Sequence, residues 1–150
     1  MTHDLYHYVD SGLPNIWLEG GVETTETEYG TATSIANLDD LHHQIAMDII
    51  SSPRRMTGAE FRFIRIELDL SQRALAGCIK STEKNVQRWE AERDKFVNGP
   101  ACFALGALYV AKQSDEDFRK LMDEVAELDG QIIEQQDRSF RLTKDHWEAA

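Results

Sequence analysis

Two short stretches constrain this chain more than any other part of it. They are Leu70-Ser71-Gln72-Arg73-Ala74-Leu75-Ala76 and Thr82-Glu83-Lys84-Asn85-Val86-Gln87-Arg88-Trp89-Glu90. Each has a hydroxyl residue at or next to its start, Ser71 and Thr82, of the kind that caps the free N–H groups at a helix start. The few residues between them leave room only for a tight turn. Leu75, Ala76, Ile79, Val86 and Trp89 recur at spacings that turn one face of each helix toward a shared small core. Lys84, Asn85, Gln87 and Arg88 point mostly the other way. The sequence predicts two helices fixed at an angle, with the polar face of the second left free.

That division is what a helix-turn-helix needs, because a buried face sets the angle at which the second helix enters a major groove. Lys84 and Arg88 are one turn apart on one face, and each can donate to guanine O6 and N7. Asn85 suits adenine, and Gln87 can reach a base or a phosphate. Glu83 is repelled by phosphates but can accept from cytosine N4. The expected base contacts are therefore Glu83, Lys84, Asn85, Gln87 and Arg88. Ser71, Gln72, Arg73 and Thr82, at the helix starts, are the expected phosphate contacts.

The chain's net charge of −11 argues against nucleic acid only as an average. Residues 1–53 hold nine Asp or Glu and no Lys or Arg, a net of −9. Residues 54–95 hold ten basic and seven acidic residues, a net of +3, and residues 96–150 come to −5. Phosphate contacts depend on local basic charge, so a positive module between acidic flanks stays compatible with DNA. Long-range steering would be weak, and dimerisation would supply affinity. Acidic flanks also suit a basic protein partner.

Three segments follow from the pattern. Residues 1–52 form a small β-plus-helix module for dimerisation or partner binding. Asn15-Ile16-Trp17-Leu18 is a strand-like run ended by Gly20-Gly21. Val22–Glu28 and Thr31–Ile35 alternate weakly around a turn, and Asn37 caps a helix carrying Leu38, Leu41, Ile45 and Ile49. Ser51–Arg55 is a linker. Residues 56–112 form the DNA-binding unit. In it Thr57-Gly58-Ala59-Glu60 is a capping box, Phe61, Ile64 and Leu68 are the inner stripe of the helix it opens, and Asn98-Gly99-Pro100 starts another helix. Residues 113–150 form an extension. A helix from Ser114 carries Phe118, Leu121, Met122, Val125 and Leu128 and ends at Gly130. A strand or hairpin then turns at Thr143-Lys144-Asp145 and is free to pair with the N-terminal strands. The apolar stripes of Leu38–Ile50 and Phe118–Leu128 are both available as dimer interfaces.

The stretch from about Thr57 to Lys95 resembles the Cro/repressor-like, XRE-type helix-turn-helix regulators, through Leu70-Ser71-Gln72 and Arg88-Trp89-Glu90 at the family's spacing. Lys80 stands where the turn usually carries Gly, and Glu83 where the second helix often opens on Gln. The resemblance implies a mainly α, lambda-repressor-like five-helix domain, with five helices between Thr57 and about Leu128. Here a small α+β N-terminal module and the C-terminal hairpin are added to it. The order of parts also resembles the MqsA-type antitoxins and related regulators, through Gly12–Leu18, Glu28-Tyr29-Gly30 and Leu68–Gln72. Members that bind zinc do so through paired Cys-x-x-Cys sequences; this chain has no cysteine before Cys78, so that zinc site is absent. The resemblance implies base reading by Lys84 and Arg88.

Other chemistry finds little footing. His3 and His7 would be one turn apart on a helix, and adjacent His42 and His43 point about 100° apart on one, so no metal site is expected. Cys78 and Cys102 read as two unpaired buried thiols of a reducing cytosol. No nucleophile sits beside a base, no glycine pair opens a phosphate-binding loop, and no catalytic residue or cofactor is expected. Trp17, Trp89 and Trp147 read as core or interface residues. No apolar run has transmembrane length, and the N-terminus lacks a signal pattern. The expectation is a cytoplasmic homodimeric repressor of its own gene, reading a palindromic operator in double-stranded DNA. Two alternatives fit the same residues: an antitoxin that also masks a protein toxin through residues 1–52, and an interaction protein that keeps the two helices as scaffold.

Overall fold

The structure, a computed structural model, describes residues 5–114, 116, 119–120, 123 and 138–149. Among them are five helices and three two-stranded antiparallel sheets, a mixed, helix-rich arrangement. No helix among the described residues is long and apolar enough to cross a membrane.

β1 (Leu5–His7) pairs with β2 (Trp17–Glu19), with Tyr6 opposite Leu18. β3 (Val22–Thr27) and β4 (Gly30–Ile35) form a hairpin in full register. Only its open end, Val22 and Ile35, packs partly on the core. α1 (Leu38–Ser51) follows. Asn37 stands before it at a φ of +49° and makes no side-chain cap, contrary to the capping role its type suggested. α1 buries Ile45, Ala46 and Ile49, while Leu41 and Ile50 are partly buried and Leu38 is exposed, so most of the stripe open to a second subunit on sequence grounds packs on the core of its own chain.

α2 (Gly58–Glu67), α3 (Gln72–Cys78), α4 (Glu83–Ala91) and α5 (Gly99–Ser114) complete the helical part. The Thr57–Glu60 capping box forms: Thr57 Oγ1 accepts the Glu60 N–H, and Glu60 accepts the Thr57 N–H at 2.9 Å. Phe61, Ile64 and Leu68 are fully buried, as their spacing predicted, with Leu75, Val86, Val97 and Leu105 against them. Tyr8, Leu13 and Leu18 from the N-terminal ribbon join the same core, as do the α1 side chains and Tyr109 of α5. Four of the five helices expected after Thr57 are described. Of the fifth, only Glu116, Arg119, Lys120 and Asp123 are described, and they are helical; its apolar stripe of Phe118, Leu121, Met122, Val125 and Leu128, and Gly130, lie outside the described residues.

β5 (Phe140–Thr143) and β6 (His146–Ala149) form the C-terminal hairpin, turning at Lys144 with φ +52°. It pairs with itself and not with the N-terminal strands. Trp147 is 68 % exposed and Trp17 54 %, so neither is a core residue. Trp89 alone of the three packs inward, edge-on to Phe61. Cys78 and Cys102 are free thiols, Cys102 buried and Cys78 half-buried, and burial pushes both up in pKa.

Among the described glycines, the tightest surroundings are those of Gly58, the first residue of α2. Its N–H and that of Ala59 donate to Lys95 O (3.0 Å) and Arg93 O (3.2 Å) in the loop after α4. A side chain there would collide with the Trp89 carbonyl and lie 2.7 Å from the Glu92 carbonyl. Backbone cannot yield as a flexible side chain can, so Gly58→Ala should lose about 1–3 kcal/mol of stability. Gly77 in α3 has open space around it, and Gly77→Ala should gain about 0.5–1 kcal/mol from chain entropy. Urea titration of both variants checks the pair of opposite signs.

Candidate nucleic-acid interface

α3 and α4 are each started by a hydroxyl. Ser71 Oγ accepts the Ala74 N–H at 3.0 Å, and Thr82 Oγ1 accepts the Asn85 N–H at 3.1 Å. Both hydroxyls thereby use a lone pair and keep the O–H free to donate outward. Between the helices the Ser81 N–H reaches back to Ala76 O at 2.9 Å, with Lys80 at φ +58°. This six-to-one bond around a left-handed residue is a Schellman turn. Lysine occupies the position that glycine fills most cheaply.

The faces of α4 divide sharply. Val86 is fully buried, Trp89 partly, and Glu90 is buried to 5 % exposure. Glu83, Lys84, Gln87 and Arg88 are exposed. Lys84 and Arg88 have no ion-pair partner among the described residues, so both cations are uncommitted. Gln87 Nε2 leans on Glu83 Oε1 at 3.5 Å. Asn85 is half-buried and donates to Ser81 Oγ at 3.2 Å, which ties its amide to the turn. Arg73 on α3 is exposed. The structure thus brings the expected base-reading residues onto one helix, four exposed and Asn85 partly engaged.

Gln72 has a second attachment that its position did not suggest. Its Nε2 donates to Glu90 Oε1 at 3.2 Å. Glu90 also receives Arg65 of α2 in a two-pronged contact, Nε to Oε2 at 2.7 Å and Nη2 to Oε1 at 2.8 Å. Arg65 Nη1 donates to Leu70 O at 2.9 Å, at the entrance to α3. One carboxylate therefore joins α2, α3 and α4. Arg65 was not singled out by the sequence, and Glu90 entered only as part of the Arg88-Trp89-Glu90 motif, without this pairing. The signal was there in a small way: Glu90 is one turn from Val86 on the inward face, where a lone carboxylate needs a cation.

A second polar chain anchors the N-terminal ribbon behind these helices. Tyr8 OH lies 2.8 Å from His42 Nε2, and His42 Nδ1 lies 2.7 Å from Glu67 Oε1 at the end of α2. Burial first, and then the carboxylates of Asp10 and Glu67, push the Tyr8 pKa up. The Glu67 carboxylate can only accept, so His42 Nδ1–H is the donor in that contact. His43 turns to Tyr109 OH at 2.8 Å, and His7 stacks on Trp17. Arg93, after α4, donates to Gly12 O in the ribbon. No group of three or more His, Cys, Asp or Glu among the described residues is placed to hold a metal ion.

No protein-family model matches the chain, and no curated protein or solved structure is found to match it.

Removing the carboxylate at Glu90 strands a guanidinium whose side chain is only 11 % exposed. Glu90→Ala should cost about 3–5 kcal/mol, and Arg65→Met with Glu90→Leu should regain most of it; chemical denaturation of the single and double variants reads both. Lys80→Gly should stabilise by about 1 kcal/mol, because the left-handed backbone no longer carries a Cβ.

Proposed function

We propose that the chain is a sequence-specific DNA-binding regulator of transcription, a homodimeric autorepressor that reads an inverted repeat. In this reading α3 and α4 are a helix-turn-helix within a lambda-repressor-like domain, and α4 lies in the major groove. The observation that carries it is the division of α4: an inward face clamped by a buried carboxylate, and an outward face with two uncommitted cations one turn apart. A helix held rigidly from behind can present side chains to base edges in a fixed register, which base readout requires.

Lys84 and Arg88 are the principal readers, with Glu83 and Gln87 beside them. Asn85 contributes once its amide leaves Ser81, or through its carbonyl oxygen. Ser71 and Thr82, with free O–H donors, and the exposed Arg73 meet phosphates. Gln72 keeps only its amide oxygen and one N–H outside the Glu90 cluster, so its part is chiefly to brace α3. Two copies set their α4 helices about 34 Å apart, which places half-sites one DNA turn apart.

A second reading, an antitoxin that also covers a basic protein toxin through residues 1–52, draws on one observation. Glu23, Glu28, Asp39, Asp40 and Asp48 have no ion-pair partner among the described residues. Tyr29 at the hairpin tip is 97 % exposed.

Arg88→Ala should weaken binding to DNA from upstream of its own gene by about 1–3 kcal/mol and relax specificity at one base position. Anisotropy titrations against a scrambled competitor measure both; unchanged affinity and unchanged discrimination would contradict the proposal. Lys84→Ala should act in the same way if it reads a base. If it meets only phosphate, the loss is uniform across sequences and the salt dependence is shallower.

A further inference from the structure

We infer that the outer face of α5 is where two copies of this chain meet. Phe103, Ala107 and Val110 recur at i, i+4 and i+7 on that helix and all are exposed, Phe103 by 81 %. Beside them lies a hollow of about 530 Å³, lined by Ile50, Pro53 and Met56 on one side and by Gly106 and Ala107 on the other. An apolar ring standing in water next to an apolar recess is an unfinished contact.

Charge selects a second copy as the occupant. Two chains of net charge −11 repel each other over most of their surfaces. From Gly99 to Ala111 there is no Asp, Glu, Lys or Arg, and the only ionised side chains lining the hollow are Arg54 and Arg55. This face lets two acidic molecules approach without opposing carboxylates. Arg54 is held by Glu60 at 2.7 and 2.9 Å, so each copy brings to the rim one arginine without an ion-pair partner among the described residues, Arg55, and a basic partner would gain nothing from the bare helix.

Shape points the same way. A two-fold contact uses one patch twice, so the patch must carry both a protrusion and a place to receive it. Phe103 is the protrusion, and the hollow over Gly106 and Ala107 is the place. Gly106 keeps that floor low: a Cβ there would lie 3.3 Å from the Ile50 side chain, so the two helices close tightly beneath it. Of the apolar stripe on α1, Ile45, Ala46 and Ile49 are buried, Leu38 at its start is exposed, and Ile50 at its end forms part of this same hollow.

Area sets the strength. The exposed stripe spans about 10 Å of helix, and the Phe103 ring offers roughly 150 Å². A standard interface takes about 800 Å² from each partner, more than this face supplies. The free dimer is therefore weak, and DNA completes it by holding two copies side by side. That last step rests on the regulator reading; the contact itself does not.

Sedimentation of the full chain between about 1 and about 100 μM tests it. The mass should rise with concentration from 17.1 kDa toward twice that value. Phe103→Asp and Ala107→Asp should stay at the monomer mass throughout with unchanged circular dichroism melts, because both positions are exposed. Phe103→Leu should still associate, and so should Tyr29→Asp, at an exposed position elsewhere. A wild type that stays monomeric over the whole range, or Asp variants that associate as it does, would overturn the inference. Arg88→Ala separates the two proposals: if it binds DNA like the wild type while Phe103→Asp abolishes association, the regulator reading fails and this one stands.

Discussion

The paired contact between Arg65 and Glu90 is the interaction on which the arrangement of α2, α3 and α4 depends. It is a poor source of net stability. Taking a carboxylate and a guanidinium out of water costs several kcal/mol per ion, and apolar residues of equal volume often hold a fold as well. What it supplies is direction. Two parallel N–H to oxygen bonds fix both the distance and the rotation of α4 relative to α2, where an apolar contact would let the helix roll. The remaining Arg65 donor on Leu70 O and the Gln72 amide on Glu90 carry the same constraint into α3. No side-chain polar atom buried among the described residues lacks a hydrogen-bond partner, so the cluster is fully satisfied.

The backbone around that cluster is shaped to admit it. Gly58 brings the start of α2 against the last carbonyls of α4, and the loop from Arg93 to Lys95 caps the first α2 amides. Two left-handed residues, Asp69 and Lys80, make the corners into α3 and α4. Neither is glycine, and the strain they carry is sustained because the helices on both sides are pinned to the core. At the back, Tyr8, His42 and Glu67 secure the N-terminal ribbon to the end of α2.

Much of this was legible in the sequence where local rules act alone. The capping box at Thr57, the caps at Ser71 and Thr82, and the stripe of Phe61, Ile64 and Leu68 all follow from spacing and residue type, whereas the left-handed turn at Lys80 was marked only by the family resemblance, which puts glycine there. β3, β4 and the C-terminal turn were legible for the same reason. What escaped depends on residues far apart in the chain. β1 exists because Leu5–His7 finds β2 ten residues on, with no periodicity of its own. Glu90 is inward because Arg65, 25 residues earlier, meets it. Gln72 looked free because the carboxylate that engages it is on another helix. Asn37 has the right side chain for a cap, but its backbone takes a left-handed turn that aims it elsewhere. Of the two places expected for Trp17 and Trp147, core or interface, their short, exposed ribbons do not provide the first.

The hairpin of β3 and β4 stands in a two-stranded sheet, so each strand leaves one row of backbone amides and carbonyls unpaired. Its threonines favour extended chain, and open edges of that kind invite another strand. Glu23 and Glu26 on one strand and Glu28 at the turn place negative charge along the ribbon. A second identical ribbon would bring like charges together across the shared edge. The acidic residues that looked at first like an obstacle to binding nucleic acid thus act as guards against fibre growth, and they allow a bare, Thr-rich ribbon to project into water without joining its own kind.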